Sequence, residues 1–164
     1  MQAPPYQASL ENVQTIKQAK VNKLNVGAIS SSKKLNSISL RGSQMYSPIE
    51  KSYGKYISKA IEEELKLAKL WSPVSSTVIT GEVLTNDIDV SGFSEGSGEI
   101  SARFIVTKDN KVIFDKVISA NHTFDSSFIG AVAIPNGQAN YVNLVQKLIK
   151  NLFENKSFVT ALKS

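Results

Sequence analysis

The sequence predicts an α+β fold in which an antiparallel or mixed sheet of about five strands carries two main helices on one face. Several segments alternate apolar and polar residues with the period of a strand, and two longer segments repeat apolar residues with the period of a helix. Their order is strand, strand, helix, three strands, helix. The chain has 164 residues, the size of one ordinary domain. We therefore expect an extended N-terminal tether over residues 1–19 and a single domain over residues 20–164.

The tether is predicted from composition. Pro4 and Pro5 stand among small polar residues, and the segment shows neither a helical nor a strand period. Such a composition is typical of linkers.

The predicted strands are rich in apolar and β-branched residues and are bounded by turn-forming segments. Residues 92–98 are expected to form a flexible connection, and residues 108–111 a tight hairpin turn. The five strands are predicted from about Lys20 through Leu24, Val26 and Ala28, at Ile38–Gly42, at Thr77–Val90, around Ile100–Thr107, and from Val112 to about Phe124.

The two helices are predicted from different signals. Ser47-Pro48-Ile49-Glu50 matches a capping box and predicts a helix that runs to about Leu70, with Gly54 as a weak point inside it. The second helix is expected to follow Pro135-Asn136-Gly137. It shows one apolar stripe, which consists of Tyr141, Leu144, Val145, Leu148 and Leu152.

The composition excludes several kinds of chemistry. The chain has no cysteine and only one histidine, His122. Thiolate catalysis, cysteine-based zinc sites and multi-histidine metal sites are therefore excluded, and we expect no cofactor.

The positive charge is confined to the N-terminal part of the sequence. Residues 1–71 hold 11 Lys/Arg and 5 Asp/Glu, whereas residues 72–164 hold 8 and 9. A one-sided basic surface is typical of proteins with an anionic partner, although it also occurs as a solvated face. Only two of the basic residues are arginines, which argues against specific recognition of nucleic acid. The candidate contacts with an anionic partner are Lys33, Lys34 and Arg41.

The apolar run 128–134 allows two interpretations. It is either a buried segment beneath the last helix, which is the default expectation, or an exposed surface for a lipid or a protein partner. In the second case the interaction patch consists of Phe128, Ile129, Val132 and Ile134.

Three local patterns resemble catalytic motifs without meeting their requirements. Residues 92–96 match G-x-S-x-G, but a nucleophile elbow needs a helix after the serine, and a strand is predicted there. His122 has no second histidine or cysteine as a partner. Residues 62–64 are three consecutive glutamates, which point in different directions around a helix. We therefore expect no catalytic residues and no enzyme activity.

The order of elements, the proline-containing start and the C-terminal pattern resemble small envelope lipoproteins of Gram-negative bacteria. The pattern consists of Ile134-Pro135, Asn140-Tyr141, Leu144-Val145, Leu148, Leu152-Phe153, Phe158 and Leu162. Among these lipoproteins, the sequence is most similar to the ABC-transport auxiliary and LPS-assembly-type groups. No functional residue of these families has a matching site motif here.

This resemblance implies a non-enzymatic, periplasm-facing protein, anchored to a membrane as a lipoprotein. Its leader and lipidated cysteine would precede Gln2. It would act as an accessory or adaptor in the transport or assembly of envelope lipid or glycolipid, with an envelope protein or an anionic lipid as its partner. The alternative is a small periplasmic or secreted module that binds a soluble ligand.

Overall fold

The computed structural model describes residues 1–164, which form four α-helices, six strands and one 3-10 helix. None of the helices combines the length and the apolar character needed to cross a bilayer. In chain order the elements are α1 (Leu10–Gln18), β1 (Asn25–Ser30), a 3-10 helix (Lys33–Asn36), β2 (Ser37–Leu40), β3 (Ser43–Tyr46), α2 (Tyr53–Leu67), β4 (Thr77–Asp89), β5 (Glu95–Lys108), β6 (Lys111–Asp125), α3 (Gly130–Phe153) and α4 (Lys156–Lys163).

The main sheet has four strands in the order β1-β4-β5-β6. The first pair is parallel and the other two are antiparallel, so the sheet is mixed. Strands β2 and β3 form a separate antiparallel ribbon. The predicted α+β class is confirmed. The second predicted strand belongs to the ribbon instead of the main sheet, and β3 was not predicted.

One face of the main sheet is buried and the other meets solvent. Along β5, Ile100, Ala102 and Phe104 are fully buried, whereas Glu99 and Arg103, which point to the opposite face, are exposed. The helices cover the buried face. Tyr53 and Tyr56 of α2 and Tyr141 of α3 meet there, with ring centroids 4.8 and 5.4 Å from that of Tyr141.

The N-terminal segment is not the extended tether predicted for residues 1–19. Residues 10–18 form α1, capped by the Ser9 side chain, and Ile16 and Ala3 are buried in the core. The Ala3 amide donates to the Tyr46 carbonyl at 2.8 Å, so the first residues add a short pairing to β3. The prediction failed because contacts distant in the chain hold this segment: Ile16 is buried, and the Asn12 side chain donates to Glu64 and to the Gln146 carbonyl.

Helix α2 begins later than the capping pattern predicted. The Ser47 hydroxyl accepts from the Ile49 amide within a tight turn, and the Ser52 side chain caps the helix. Gly54 is not a weak point. A Cβ there would lie 2.2 Å from the Ile29 carbonyl oxygen, so glycine permits close packing of α2 on β1.

Helix α3 begins at Gly130, before the position predicted, and includes Pro135 in its second turn. Pro135 is the sixth residue of the helix, past the four amides that lack intrahelical partners, so it removes one backbone hydrogen bond, the one to the Ala131 carbonyl. Gly137 packs directly on the end of β4, since a Cβ there would lie 2.8 Å from Val90.

Candidate functional site

Four exposed apolar side chains lie at the end of the domain where β4 ends and α3 begins, on the β4–β5 loop and on the segment that leads into α3. Phe93 is 84% exposed, Phe128 67%, Ile129 51% and Val132 45%. We call these four residues the apolar tip. The chain has seven phenylalanines, and only the two in the tip are exposed. The default expectation of burial for residues 128–134 is therefore wrong for three members of the predicted patch.

Ile134, the fourth predicted member of the patch, is only partly exposed and packs against the core. Phe93 takes its place in the apolar tip. Sequence reasoning did not include Phe93 because it treated the glycine- and serine-rich segment 92–98 only as a connection. A large aromatic residue within such a segment was the available signal.

The two loops of the tip are joined to each other. The Ser126 amide donates to the Ser94 carbonyl at 2.9 Å, which links the β6–α3 loop to the β4–β5 loop. Arg41, from the turn of the β2–β3 ribbon, binds both loops. Its guanidinium donates to the Val90 carbonyl at 2.9 Å, to the Ser127 carbonyl at 2.7 Å and to the Phe128 carbonyl.

The Arg41 guanidinium, predicted as a contact for an anionic group, is bonded to the backbone of the tip. A fourth bond, 3.3 Å long, runs to the Gly92 carbonyl. The four acceptors are all backbone carbonyls, so the donors of this side chain hold the tip in place.

Lys33 and Lys34 precede β2 and Arg41 follows it, and a four-residue strand spans about 13 Å. The structure does not bring the three predicted residues together.

Lys33 lies instead at a surface groove with a second lysine. The groove has a volume of about 350 Å³ and is lined by Lys33, Asn36, Ser37, Tyr46 and Lys51. The Lys51 ammonium lies 5.3 Å from the centroid of the Tyr46 ring. The lining holds two cations and no carboxylate, which suits an anionic group. We call it the lysine groove.

A row of carboxylates borders the apolar tip on the open face of the sheet. Asp89, Glu95 and Asp125 are the last exposed residues of β4, β5 and β6 at this end. Glu95 lies directly opposite Asp125 in the sheet, and Asp87 directly opposite Glu99. None of the five forms a salt bridge. We call Asp87, Asp89, Glu95, Glu99 and Asp125 the acidic border.

Like charges that face each other on neighbouring strands lower stability. Burial, with added repulsion from Asp89 and Glu99, raises the pKa of the Asp87 carboxyl. Hydrogen bonds from the Ser91 hydroxyl and amide lower the pKa of the Asp89 carboxyl. The sheet therefore concentrates carboxylates beside the tip, and none of them forms a salt bridge.

A buried carboxyl group lies on the other side of the core. Glu64 is fully buried, and one of its oxygens accepts from the Tyr6 hydroxyl at 3.0 Å, the Ser9 amide at 2.9 Å and the Asn12 amide group at 3.3 Å. The other oxygen has no partner. Burial raises the pKa of Glu64 to about 7. This residue joins α2 to the N-terminal segment. It is thus a structural contact, unlike its partly exposed neighbour Glu62, which pairs with Lys66.

The remaining motif residues are not arranged as a catalytic group. Strand β5 begins directly after Ser94, so this serine has no following helix and is not a nucleophile elbow. His122 pairs in register with Gly98, four residues along β5 from Ser94. Its Nε2 atom lies 2.9 Å from the Asn140 side-chain oxygen.

The N-terminus lies at the same end of the domain as the tip. The Met1 amino group donates to the Gln44 carbonyl at 2.9 Å, and Gln2 pairs in parallel with Tyr46. Gln44 is three residues from Arg41, which binds the Phe128 carbonyl. Met1 therefore lies beside the ribbon turn that holds the tip, and the residues that follow Met1 lead away from that turn.

No protein-family model and no curated protein matches the sequence. Among solved structures, the chain is similar to protein XCC0632 from Xanthomonas campestris, which carries the family label DUF330. The TM-score is 0.61 at 10% identity, over 93% of this chain and 91% of that one. A hypothetical protein, CT253 from Chlamydia trachomatis, matches with a TM-score of 0.41 at 14% identity, over 62% of this chain and 72% of that one. The chain thus shares the fold of the Xanthomonas protein.

Proposed function

We propose that this protein is a non-enzymatic accessory or adaptor component of the bacterial envelope. It faces the periplasm and is held at a membrane through its N-terminus. It serves the transport or assembly of envelope lipid or glycolipid by docking to another component. The observation that carries the proposal is the position of the apolar tip beside the N-terminus. An anchor attached ahead of Gln2 would hold Phe93 and Phe128 near the membrane surface.

The proposed mechanism is docking by a preformed surface. Arg41 holds the two loops of the tip, so little conformational entropy is lost when a partner covers them. Exposed apolar clusters of this kind are typical of interaction sites.

The alternative, a module for a soluble ligand, has less support. Such modules enclose their ligand in a largely apolar cavity. The three grooves of this protein measure about 260, 470 and 350 Å³, and have no, two and one hydrophobic lining residues, respectively.

The location can be tested with the protein expressed from its own gene and detected with an antibody. We expect the protein in the membrane fraction, and we expect added protease to digest it in spheroplasts but not in intact cells. Cytoplasmic and periplasmic marker proteins provide the controls. Recovery with the cytoplasmic marker, protected from protease in spheroplasts, would overturn the proposal.

The lysine groove supplies a contact for the anionic lipid or glycolipid that this role implies. We expect binding to vesicles that contain about one third phosphatidylglycerol, weakening steeply with salt because the groove lysines are exposed. Replacing Lys33, Lys34 and Lys51 with glutamate should abolish it. A control with the same charge change at Lys20, Lys23 and Lys111 should retain most of the binding. Equal loss in both variants would show that only net charge matters.

A further inference from the structure

The acidic border adjoins the apolar tip along the chain. Asp89 lies four residues before Phe93, Glu95 lies two residues after it, and Asp125 lies three residues before Phe128. All three carboxylates are exposed and have no cationic partner. The facing pair Glu95 and Asp125 places like charges on neighbouring strands, an unfavourable arrangement that a cationic partner would relieve.

The negative charge of the acidic border does not favour contact with an anionic bilayer. Helix α3 has no charged residue between positions 130 and 146, and Arg41 donates to backbone carbonyls. The tip therefore offers no free side-chain cation to a phosphate headgroup, and its border repels one. The lysine groove, which does offer cations, is a separate surface.

The links between the loops of the tip also favour a protein partner. Phe93 and Phe128 belong to different loops, and these loops are linked by the Ser126–Ser94 hydrogen bond and by Arg41. Two aromatic side chains on loops held in this way match a structured partner.

We propose that the apolar tip docks a polypeptide segment whose apolar side chains are flanked by lysine or arginine. The apolar side chains cover Phe93, Phe128, Ile129 and Val132, and the flanking cations lie against Asp89, Glu95 and Asp125. This inference rests on the proposed adaptor function. It specifies what kind of protein segment the adaptor binds.

The test is photo-crosslinking in the source bacterium. A benzoyl-phenylalanine is introduced at Phe93 or at Phe128, and the crosslinked peptide is identified by mass spectrometry. Val74 is the matched control, because it is 89% exposed and apolar and precedes β4 at the far end of the sheet. We expect both tip positions to yield the same partner segment, with apolar residues beside Lys or Arg, and Val74 not to yield it.

A second variant tests the charge. Asp89→Asn, Glu95→Gln and Asp125→Asn together should lower the crosslink yield about tenfold, the combined effect of three exposed charge contacts. The double variant Glu95→Gln, Asp125→Asn should melt at the same or a higher temperature than the original protein, because repulsion between these two facing carboxylates is removed. A lower melting temperature would mean that the carboxylates are structural.

The remaining outcomes separate this inference from the proposed function. Crosslinks only to phospholipid, only to a second copy of this chain or to an acidic segment would overturn the inference, as would an unchanged yield in the neutralised variant. If the protein fractionates with the membrane but gives no protein crosslink, the inference fails and the membrane location stands. Recovery in the cytoplasm would overturn both.

Discussion

The two halves of α3 have similar apolar composition and opposite surroundings. In the first two turns Val132 is 45% exposed, whereas Leu144, Leu148 and Leu152 in the later turns are fully or almost fully buried. A helix of 24 residues is about 36 Å long. The sheet beneath it ends near Glu95 and Asp125, close to where the helix begins. The start of α3 therefore lies at the edge of the sheet, where Ala133 is buried while Val132, one residue earlier, is exposed. Apolar character alone does not determine burial.

The largest expected difference in the free energy of unfolding lies between substitutions in the two halves of α3. Leu148→Ala should lower the free energy of unfolding by about 2–5 kcal/mol, because it leaves a cavity beneath α3. Val132→Ala should change it by less than about 0.5 kcal/mol, because the side chain is already half exposed. Urea denaturation of both variants measures this contrast. Similar losses would mean that the tip is packed like the core.

The buried half also has an ionisable neighbour. Asn12 donates both to Glu64 and to the Gln146 carbonyl of α3. Burial raises the pKa of Glu64 from 4.5 to about 7, so the folded state binds a proton more tightly than the unfolded state. Stability should therefore be highest below pH 4.5 as far as this group is concerned, and fall as the pH rises to about 7. The total fall is at most about 3 kcal/mol.

Glu64→Gln tests this pH dependence, because glutamine keeps an oxygen acceptor and does not titrate. Urea denaturation between pH 4.5 and 8 should show a smaller slope for the variant than for the original protein. If both proteins keep the same slope, another group is responsible.

At the exposed end, Arg41 should matter more than the apolar side chains it holds. Arg41→Met removes four hydrogen bonds to carbonyls and should cost about 1–2 kcal/mol, since the site is exposed. Amide hydrogen exchange should increase in residues 91–94 and 126–129 and stay unchanged in 144–152. Arg41→Lys, the matched control, keeps the charge and should give an intermediate effect. Uniform acceleration along α3 would contradict the separation of its halves.

The smallest effect on stability is expected at the tip. Phe93→Ser and Phe128→Ser should change the free energy of unfolding by less than about 0.5 kcal/mol, because both rings are largely exposed. Both variants should lower the fluorescence of a dye that binds exposed apolar surface. Phe104→Ser is the control in the core and should lower stability severely, because Phe104 is fully buried. A large stability loss in either tip variant would show that the tip belongs to the core.

Sequence periodicity was most reliable where an element is long and packs along its whole length. The stripe from Tyr141 to Leu152 is buried as predicted. The hairpin turn at residues 108–111 is also confirmed, with Asp109 and Asn110 at φ values of 50° and 65°. Both features depend on local geometry that the residues themselves specify.

Local patterns failed where a distant contact decided the conformation. The Ser47 hydroxyl caps a turn instead of α2, because Ser52 is the serine placed to cap a helix that packs on β1 at Gly54. The predicted site was affected in the same way. Arg41 resembled a free surface cation, and its partners lie at positions 90, 92, 127 and 128.

The sequence by itself determined the α+β class, the main helical stripe and the hairpin between β5 and β6, because these follow from residue periodicity and turn chemistry. Tertiary structure decided which apolar residues are exposed, which cations are free and which carboxylates face each other. Which apolar residues are exposed depends on where the sheet ends beneath α3, and which carboxylates face each other depends on strand register. Both depend on contacts between segments far apart in the chain, which no local pattern specifies.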